Sequence, residues 1–246
     1  MLFVVIATIG LFGFASPLSP TILRWRHISV IYDVSQSYQH ERGISAEQDR
    51  AQNLDRVAHI GTSITDNDYF SFLAMDGWVR NNCDLSTLKV DELSPWDMHG
   101  IGYLERHRPV TGELTWREAF KTSFREIRSR LEWSDSTDIK GALSRAELVF
   151  EKYPARERYL LVFSDLDDTP VEKTSLGLCG HLDLRGVVVV VVNFGYMPSA
   201  AVKVRRPSPG RRMASFREIL YQAGAKSVKF EDIDGPILHE LGIEAR

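Results

Sequence analysis

The chain has 246 residues, enough for one α/β domain of about 200 residues with a short appendage and too few for two full domains and a linker. Hydrophobic residues make up 43% and charged residues 26%, the balance of a globular chain with an ordinary core. The formal net charge of −3 carries no basic excess of the kind nucleic acid requires, so no nucleic-acid partner is expected.

The run from Leu2 to Ala15 is uncharged and apolar, of signal-peptide length, with Gly13-Phe14-Ala15 as a small-x-small cleavage site and Pro17 and Pro20 behind it. The usual positive stretch before such a run is missing. Arg24 and Arg26 follow it, and by the positive-inside rule they would hold the C-terminal part in the cytoplasm. Residues 1–22 are expected to be a signal peptide or an N-terminal membrane anchor, with the domain exported or envelope-associated. A cytoplasmic domain behind an N-terminal anchor is the alternative. No cysteine ends the run, which excludes a bacterial lipoprotein anchor.

From His27 to Tyr32 a short β-branched, apolar segment reads as a buried strand. Ala46 to Ile60 places Ala51, Leu54, Val57 and Ala58 on one face and reads as a helix ended by Gly61. Tyr69 to Met75 reads as a second strand, and Leu88 to Leu93 as a short edge strand. Residues 94–112 hold Pro95, Gly100, Gly102, Pro109 and Gly112 and read as a long loop. Phe120, Phe124, Ile127 and Leu131 recur at helical spacing, as do Ile139, Leu143, Ala146 and Phe150. Tyr159 to Phe163 is a strand. Val187 to Val192 lacks alternation, which argues for burial on both faces of a parallel sheet. Met213, Phe216, Ile219, Leu220 and Ala223 mark a last helix closed by Gly224, and Ser227 to Phe230 a final strand. Strands and helices alternate, so the expected architecture is α/β: a doubly wound, mostly parallel central sheet with helices on both faces. Cys83 and Cys179 form no CxxC pair, so a zinc site is not expected; two buried thiols and a disulfide both remain open.

In such folds ligands sit outside the carboxyl ends of the strands, where strand order reverses. Just after the first strand comes Asp33-Val34-Ser35-Gln36-Ser37, in which alternate residues supply one carboxylate and two hydroxyls. All are hard oxygen donors, suited to a cation such as Mg²⁺ that takes about six oxygens and usually keeps some waters. A polar turn capping the next helix explains this motif alone equally well. Two further loops add to it. Thr137 lies at the start of the helix that begins near Ile139, where an N-cap is its simplest role. Asp165 follows the strand that ends in Phe163-Ser164, where an aspartate at a strand-to-loop transition is common.

This constellation resembles the von Willebrand factor type A (vWA) family, whose metal-ion-dependent adhesion site is D-x-S-x-S after the first strand, a Thr in the next functional loop and an Asp after the fourth strand. All five positions carry the expected residue types: Asp33, Ser35, Ser37, Thr137 and Asp165. The likeness covers residues 26–235 and leaves 236–246 as a C-terminal tail. It implies the Rossmann-like vWA fold and Mg²⁺ (or Mn²⁺) held by those five residues directly or through water. It also implies a protein partner whose Asp or Glu carboxylate fills an open coordination position, which is binding rather than catalysis. The chain departs from the family at Ser134-Asp135-Ser136, where glycines are frequent, and at Leu166-Asp167-Asp168, where a glycine often follows the aspartate. Asp167 and Asp168 would add negative charge near the metal. The loop 94–112 is longer than usual and carries Trp96, His99, Tyr103 and His107, read either as a partner-recognition loop or as a surface insertion.

Two rivals stand beside this reading. Asp165-Leu166-Asp167-Asp168-Thr169 also matches the D-x-D-x-T motif of haloacid dehalogenase-like phosphatases, with Asp165 as nucleophile, Asp167 as acid/base, and Lys203, Lys226, Asp232 and Asp234 as candidates for later motifs. Only about 80 residues follow Asp165, few for that fold, and Asn193 stands where a small hydroxyl residue belongs. The other rival is a scaffold subunit with a purely structural metal, in which Lys203, Arg205, Arg206, Arg211 and Arg212 make contacts or form a solvated loop.

Overall fold

The computed structural model describes residues 24–35, 46–64, 68–75, 96–97, 113–131, 134, 137–167, 182–192, 209–231 and 241. In chain order the elements are β1 (Arg24–Asp33), α1 (Ala46–Thr62), β2 (Asp68–Met75), β3 (Trp96–Asp97), α2 (Glu113–Arg130), α3 (Ile139–Lys152), β4 (Ala155–Phe163), β5 (Val187–Val192), α4 (Pro209–Gln222) and β6 (Ser227–Glu231). They build a six-stranded sheet of order β3-β2-β1-β4-β5-β6. Every pairing is parallel except that of β3, which runs antiparallel to β2 through Tyr69↔Asp97 and Phe70↔Trp96.

The period-two geometry of a strand sends alternate side chains to opposite faces, and here both faces are covered. Ile28, Val30 and Tyr32 of β1 join Leu54, Val57 and Ile60 of α1 and Phe120, Phe124 and Ile127 of α2 in one layer. Ile31 joins Ala142, Leu143, Ala146 and Phe150 of α3 and Phe216 and Leu220 of α4 in the other. The valines of β5 divide the same way: Val190 and Val192 pack into the first layer, Val187, Val189 and Val191 into the second. A strand with an apolar partner on each side has no polar face to alternate with, which explains the unbroken valine run. The doubly wound α/β class expected from the sequence is the class observed.

Four expectations change in detail. Gly61 does not end its helix, which continues to Thr62. A Cβ on Gly61 would overlap the ring of Phe120, so the glycine lets α1 and α2 approach closely. The edge strand expected at Leu88–Leu93 lies outside the described residues; the stretch 94–112 read as loop contains β3 at Trp96–Asp97. The folded body does not stop at residue 235, because Leu241 is 4% exposed in the α1/α2 layer and its carbonyl accepts a 2.8 Å bond from Arg26 Nη1. Arg212, grouped by sequence with a basic loop, lies in the first turn of α4 and is 7% exposed. Gly224 closes α4 as expected: its φ is +84°, its N–H donates to Tyr221, and Ala225 N–H reaches back to Leu220 O. This is the Schellman pattern of a left-handed C′ glycine.

Candidate metal site

Strand order reverses between β1 and β4, so the carboxyl ends of these two strands flank the crevice where a ligand would sit. β1 ends at Asp33, which is fully buried. The next residue still belongs to the sheet in bonding terms: Val34 N–H donates to Met75 O at 3.1 Å, and Val34 O accepts from Ser134 N–H at 3.1 Å. Ser35 and Ser134 form an isolated parallel bridge. This short pairing lays the segment before α3 across the end of β1, and Thr137 follows three residues later.

Thr137 is completely buried, and its hydroxyl lies 3.4 Å from Asp33 Oδ1. It does not cap α3. That role falls to Asp138, whose carboxylate accepts from Gly141 N–H at 3.0 Å. With the cap supplied by its neighbour, the threonine hydroxyl is released toward Asp33. Ser35 is 2% exposed, and its N–H donates to Asp33 Oδ1 at 2.8 Å. Ser37 lies outside the described residues.

β4 delivers Ser164 and Asp165. Ser164 Oγ donates to Asp33 Oδ2 at 2.6 Å and accepts from Leu166 N–H at 2.9 Å. Asp165 is 4% exposed, and its Oδ1 accepts from Asp167 N–H at 3.0 Å. The turn between them is made by Leu166 at φ +57°, a left-handed residue that is not glycine. That conformation costs a β-carbon residue about 1 kcal/mol or more, and Leu166 offsets it by burying its side chain in the α3/α4 layer. The position where the family often has glycine thus keeps the glycine-like backbone. From α4, Arg212 donates through Nη1 to Asp165 O at 2.7 Å, and the same nitrogen is 3.9 Å from Asp165 Oδ2.

The structure therefore joins Asp33, Ser35, Thr137 and Asp165, which come from three separate chain segments. Asp167 is 7% exposed on the same loop. Asp168, His99, Tyr103 and His107 lie outside the described residues, as do Cys83 and Cys179; Trp96 is in β3. Sequence reasoning missed Ser164, Asp138 and Arg212. Ser164 and Asp138 are each direct neighbours of a proposed ligand, at a strand end and a helix start. Arg212 shares the i, i+4, i+8 stripe with Phe216 and Leu220, a signal masked by the arginines around it. Beside the Leu166 turn, a groove of about 470 Å³ opens between α3 and α4, with Ile139, Lys140, Asp167, Arg212 and Phe216 in its walls. Among the phosphatase candidates, Lys226 N–H bonds Val187 O, at the amino end of β5 and so at the opposite end of the sheet from Asp165.

Burial, and then the nearby Asp165 carboxylate, push the Asp33 carboxyl up to about 7, against the lowering effect of the Ser164 and Ser35 bonds. Two carboxylates are thus held out of water within range of each other, amid hydroxyls. The donors are all hard oxygens, and a small divalent cation fits them: its charge would relieve the repulsion that burial sharpens. Among the described residues no three His, Cys, Asp or Glu side chains cluster, so the set is two carboxylates with hydroxyls rather than a carboxylate cage.

No protein-family model and no curated protein sequence matches this chain. Its fold has relatives among solved structures. It is similar in fold to a pilin. A mutant of the PilB minor pilin from Streptococcus sanguinis superimposes with a TM-score of 0.52 at 9% identity, over 92% of this chain and 61% of that one. This chain thus spans under two thirds of that pilin's length. A von Willebrand factor type A structure from Catenulispora acidiphila gives a TM-score of 0.42 at 16% identity, covering 82% of this chain and 42% of that one. Manganese-loaded TRAP protein from Plasmodium vivax gives 0.42 at 13% identity, covering 87% and 74%. At these identities the likeness is one of fold alone.

Proposed function

We propose that this chain is a vWA-type, divalent-cation-dependent protein-binding domain of an adhesion or assembly system, exported or attached to the cell envelope, and not an enzyme. The observation that carries the reading is the meeting of Asp33, Ser35, Thr137 and Asp165 at the switch point of the sheet, with Thr137 turned to Asp33 because Asp138 caps the helix.

Asp33, Ser35, Ser37, Thr137 and Asp165 would hold Mg²⁺ or Mn²⁺. Once bound, the cation would supply a positive centre with a coordination position open to an Asp or Glu carboxylate of a partner protein. The chain's own groups do the rest. Ser164 and the Ser35 N–H fix the rotamer of Asp33. Arg212 holds the Asp165 loop through its main-chain carbonyl, with the same nitrogen 3.9 Å from the carboxylate. Two carboxylates offset a doubly charged ion without overcompensating it once hydroxyls complete the set, so attraction for a third carboxylate remains. The groove beside Leu166 gives neighbouring partner side chains a concave surface.

Thermal unfolding in Mg²⁺ and in chelator tests the reading. Mg²⁺ should raise the Tm of the wild type and leave Asp33→Ala unmoved, and an Asp-containing peptide should add a further shift only when Mg²⁺ is present. A wild type indifferent to Mg²⁺, or a peptide effect that survives chelation, would overturn it.

A further inference from the structure

The opposite end of the sheet has its own chemistry. Two large hydrophobic residues are exposed among the described residues, Trp25 at 51% and Tyr221 at 50%. Both are amphipathic aromatics, and both lie at the end of the molecule remote from Asp33. Trp25 is the second residue of β1, while Tyr221 is one residue from the end of α4 and precedes the Gly224 turn.

Cations lie at the same end. The guanidinium of Arg156, at the start of β4, lies 5.7 Å from the Trp25 ring. Lys152 ends α3 with its ammonium 5.3 Å from the Tyr153 ring. The Arg158 side chain donates to the carbonyl of Arg185, and the Arg185 side chain, 83% exposed, packs against Gly224. Lys226 is exposed just before β6. Among the described residues the acids of this end are Asp183, Glu157, Asp68, Glu151 and the buried Glu147, which accepts from Asp183 N–H. Asp183 is paired with Arg185, Glu157 bonds Tyr159 on the other face of β4, Asp68 is paired with Arg26, and Glu151 is exposed on α3. Among the described residues of this end the exposed charged side chains are Lys152, Arg156, Arg185 and Lys226 against Glu151 and Glu157, with Arg217 and Glu218 offsetting each other one turn back along α4.

We propose that this pole is a docking surface for anionic phospholipid headgroups. Trp and Tyr with one apolar and one polar edge settle at the bilayer interface, and arginine and lysine beside them meet lipid phosphates. With the apolar run as the membrane anchor proposed above, the pole would lie near a bilayer: the run ends at Ala15, ten residues before Trp25, and a fully extended chain of that length reaches at most about 35 Å. β1 then climbs away, so Asp33 stands roughly 26 Å further out by strand rise alone. The lipid surface therefore orients the carboxylate-binding end away from the membrane. This inference needs no metal; it rests on the envelope attachment proposed above and not on the carboxylate-binding end.

The test uses the full chain reconstituted in phosphatidylcholine vesicles, with and without phosphatidylglycerol, carrying brominated acyl chains as quencher. Tyr221→Trp places a reporter on α4, far along the chain from the apolar run, and its signal is read against the wild type. The reporter should be quenched in anionic vesicles at low salt and not in neutral ones. Quenching should disappear at high salt and weaken in the Arg156→Gln, Lys226→Gln double variant, with the anionic-to-neutral binding ratio falling roughly fivefold per charge removed. Quenching equal in neutral and anionic vesicles would overturn the proposal, as would a wild-type signal indifferent to salt. Competition by soluble polyglutamate as strong as by anionic vesicles would overturn it in favour of an acidic protein. If the double variant fails to fold, the lipid and salt dependence of the Tyr221→Trp chain still decides.

Discussion

Asp33 and His27 are buried titratable groups near opposite ends of β1, and each is held by specific bonds. His27 lies 3.0 Å from Tyr153 O through Nδ1 and 3.0 Å from Ser71 Oγ through Nε2. A carbonyl can only accept, so Nδ1 carries the proton and Nε2 accepts from the serine hydroxyl. Burial, reinforced by Arg158, lowers the ring to about 4, although the Tyr153 bond pulls the other way. The unfolded chain takes up this proton near pH 6.5. The contribution of this histidine to stability is therefore whole above that pH and is lost as pH falls toward 4, by on the order of 3 kcal/mol in all. Asp33, raised to about 7, titrates over the same window with the opposite sign, so the His27 contribution is read as a difference: in urea unfolding the stability of the wild type relative to His27→Gln should fall as pH drops from 6.5 toward 4, and an identical pH dependence of the two proteins would contradict the account. At the other end, Ser164→Ala leaves Asp33 Oδ2 without its 2.6 Å donor. Loss of about 1–3 kcal/mol in metal-free buffer is expected, measurable as a lower denaturation midpoint. The sequence pointed to Asp33, Thr137 and Asp165 through the types and order of residues. It did not point to Ser164 or Arg212, whose roles depend on which atom faces which across the sheet.

At the scale of elements, the two helical layers were legible because apolar spacing differs so sharply between strand and helix. Boundaries and close approaches were less so. Gly61 reads as a helix stop in sequence, yet its work is done across α1 and α2, where the Phe120 ring occupies the space a side chain would need. Gly61→Ala should destabilise by about 1–3 kcal/mol through overpacking, although alanine is the better helix former. A neutral or stabilising result in thermal unfolding would show that the glycine is a helix end after all. The strand inside the stretch read as loop was missed for a related reason. β3 is two residues long and owes its existence to pairing with β2, which no local pattern reveals. Thr137 shows the same limit: its neighbour Asp138 takes the cap, and only the bond to Gly141 distinguishes the two.

For the whole molecule, the sheet order gives the chain two chemically distinct ends, one with buried oxygen donors and one with aromatics and cations. The end of the chain takes part in holding it together. Arg26 makes a two-bond pair with Asp68 at 3.0 and 2.7 Å and also binds Leu241 O, tying the start of β1 to residues beyond 235. Truncation after residue 235 would expose the site of Leu241 and should cost roughly 2–3 kcal/mol of burial alone, visible as a lower Tm; an unchanged Tm would mean that 236–246 is the tail its sequence suggests. The central claim is that the four convergent residues hold a divalent cation, and isothermal titration of Mg²⁺ into the metal-free chain tests it most directly. The account predicts saturable heat for a single site in the wild type and none in Asp33→Ala or Asp165→Asn, both still folded. Absence of heat in the folded wild type, or the same binding in Asp33→Ala, would contradict it.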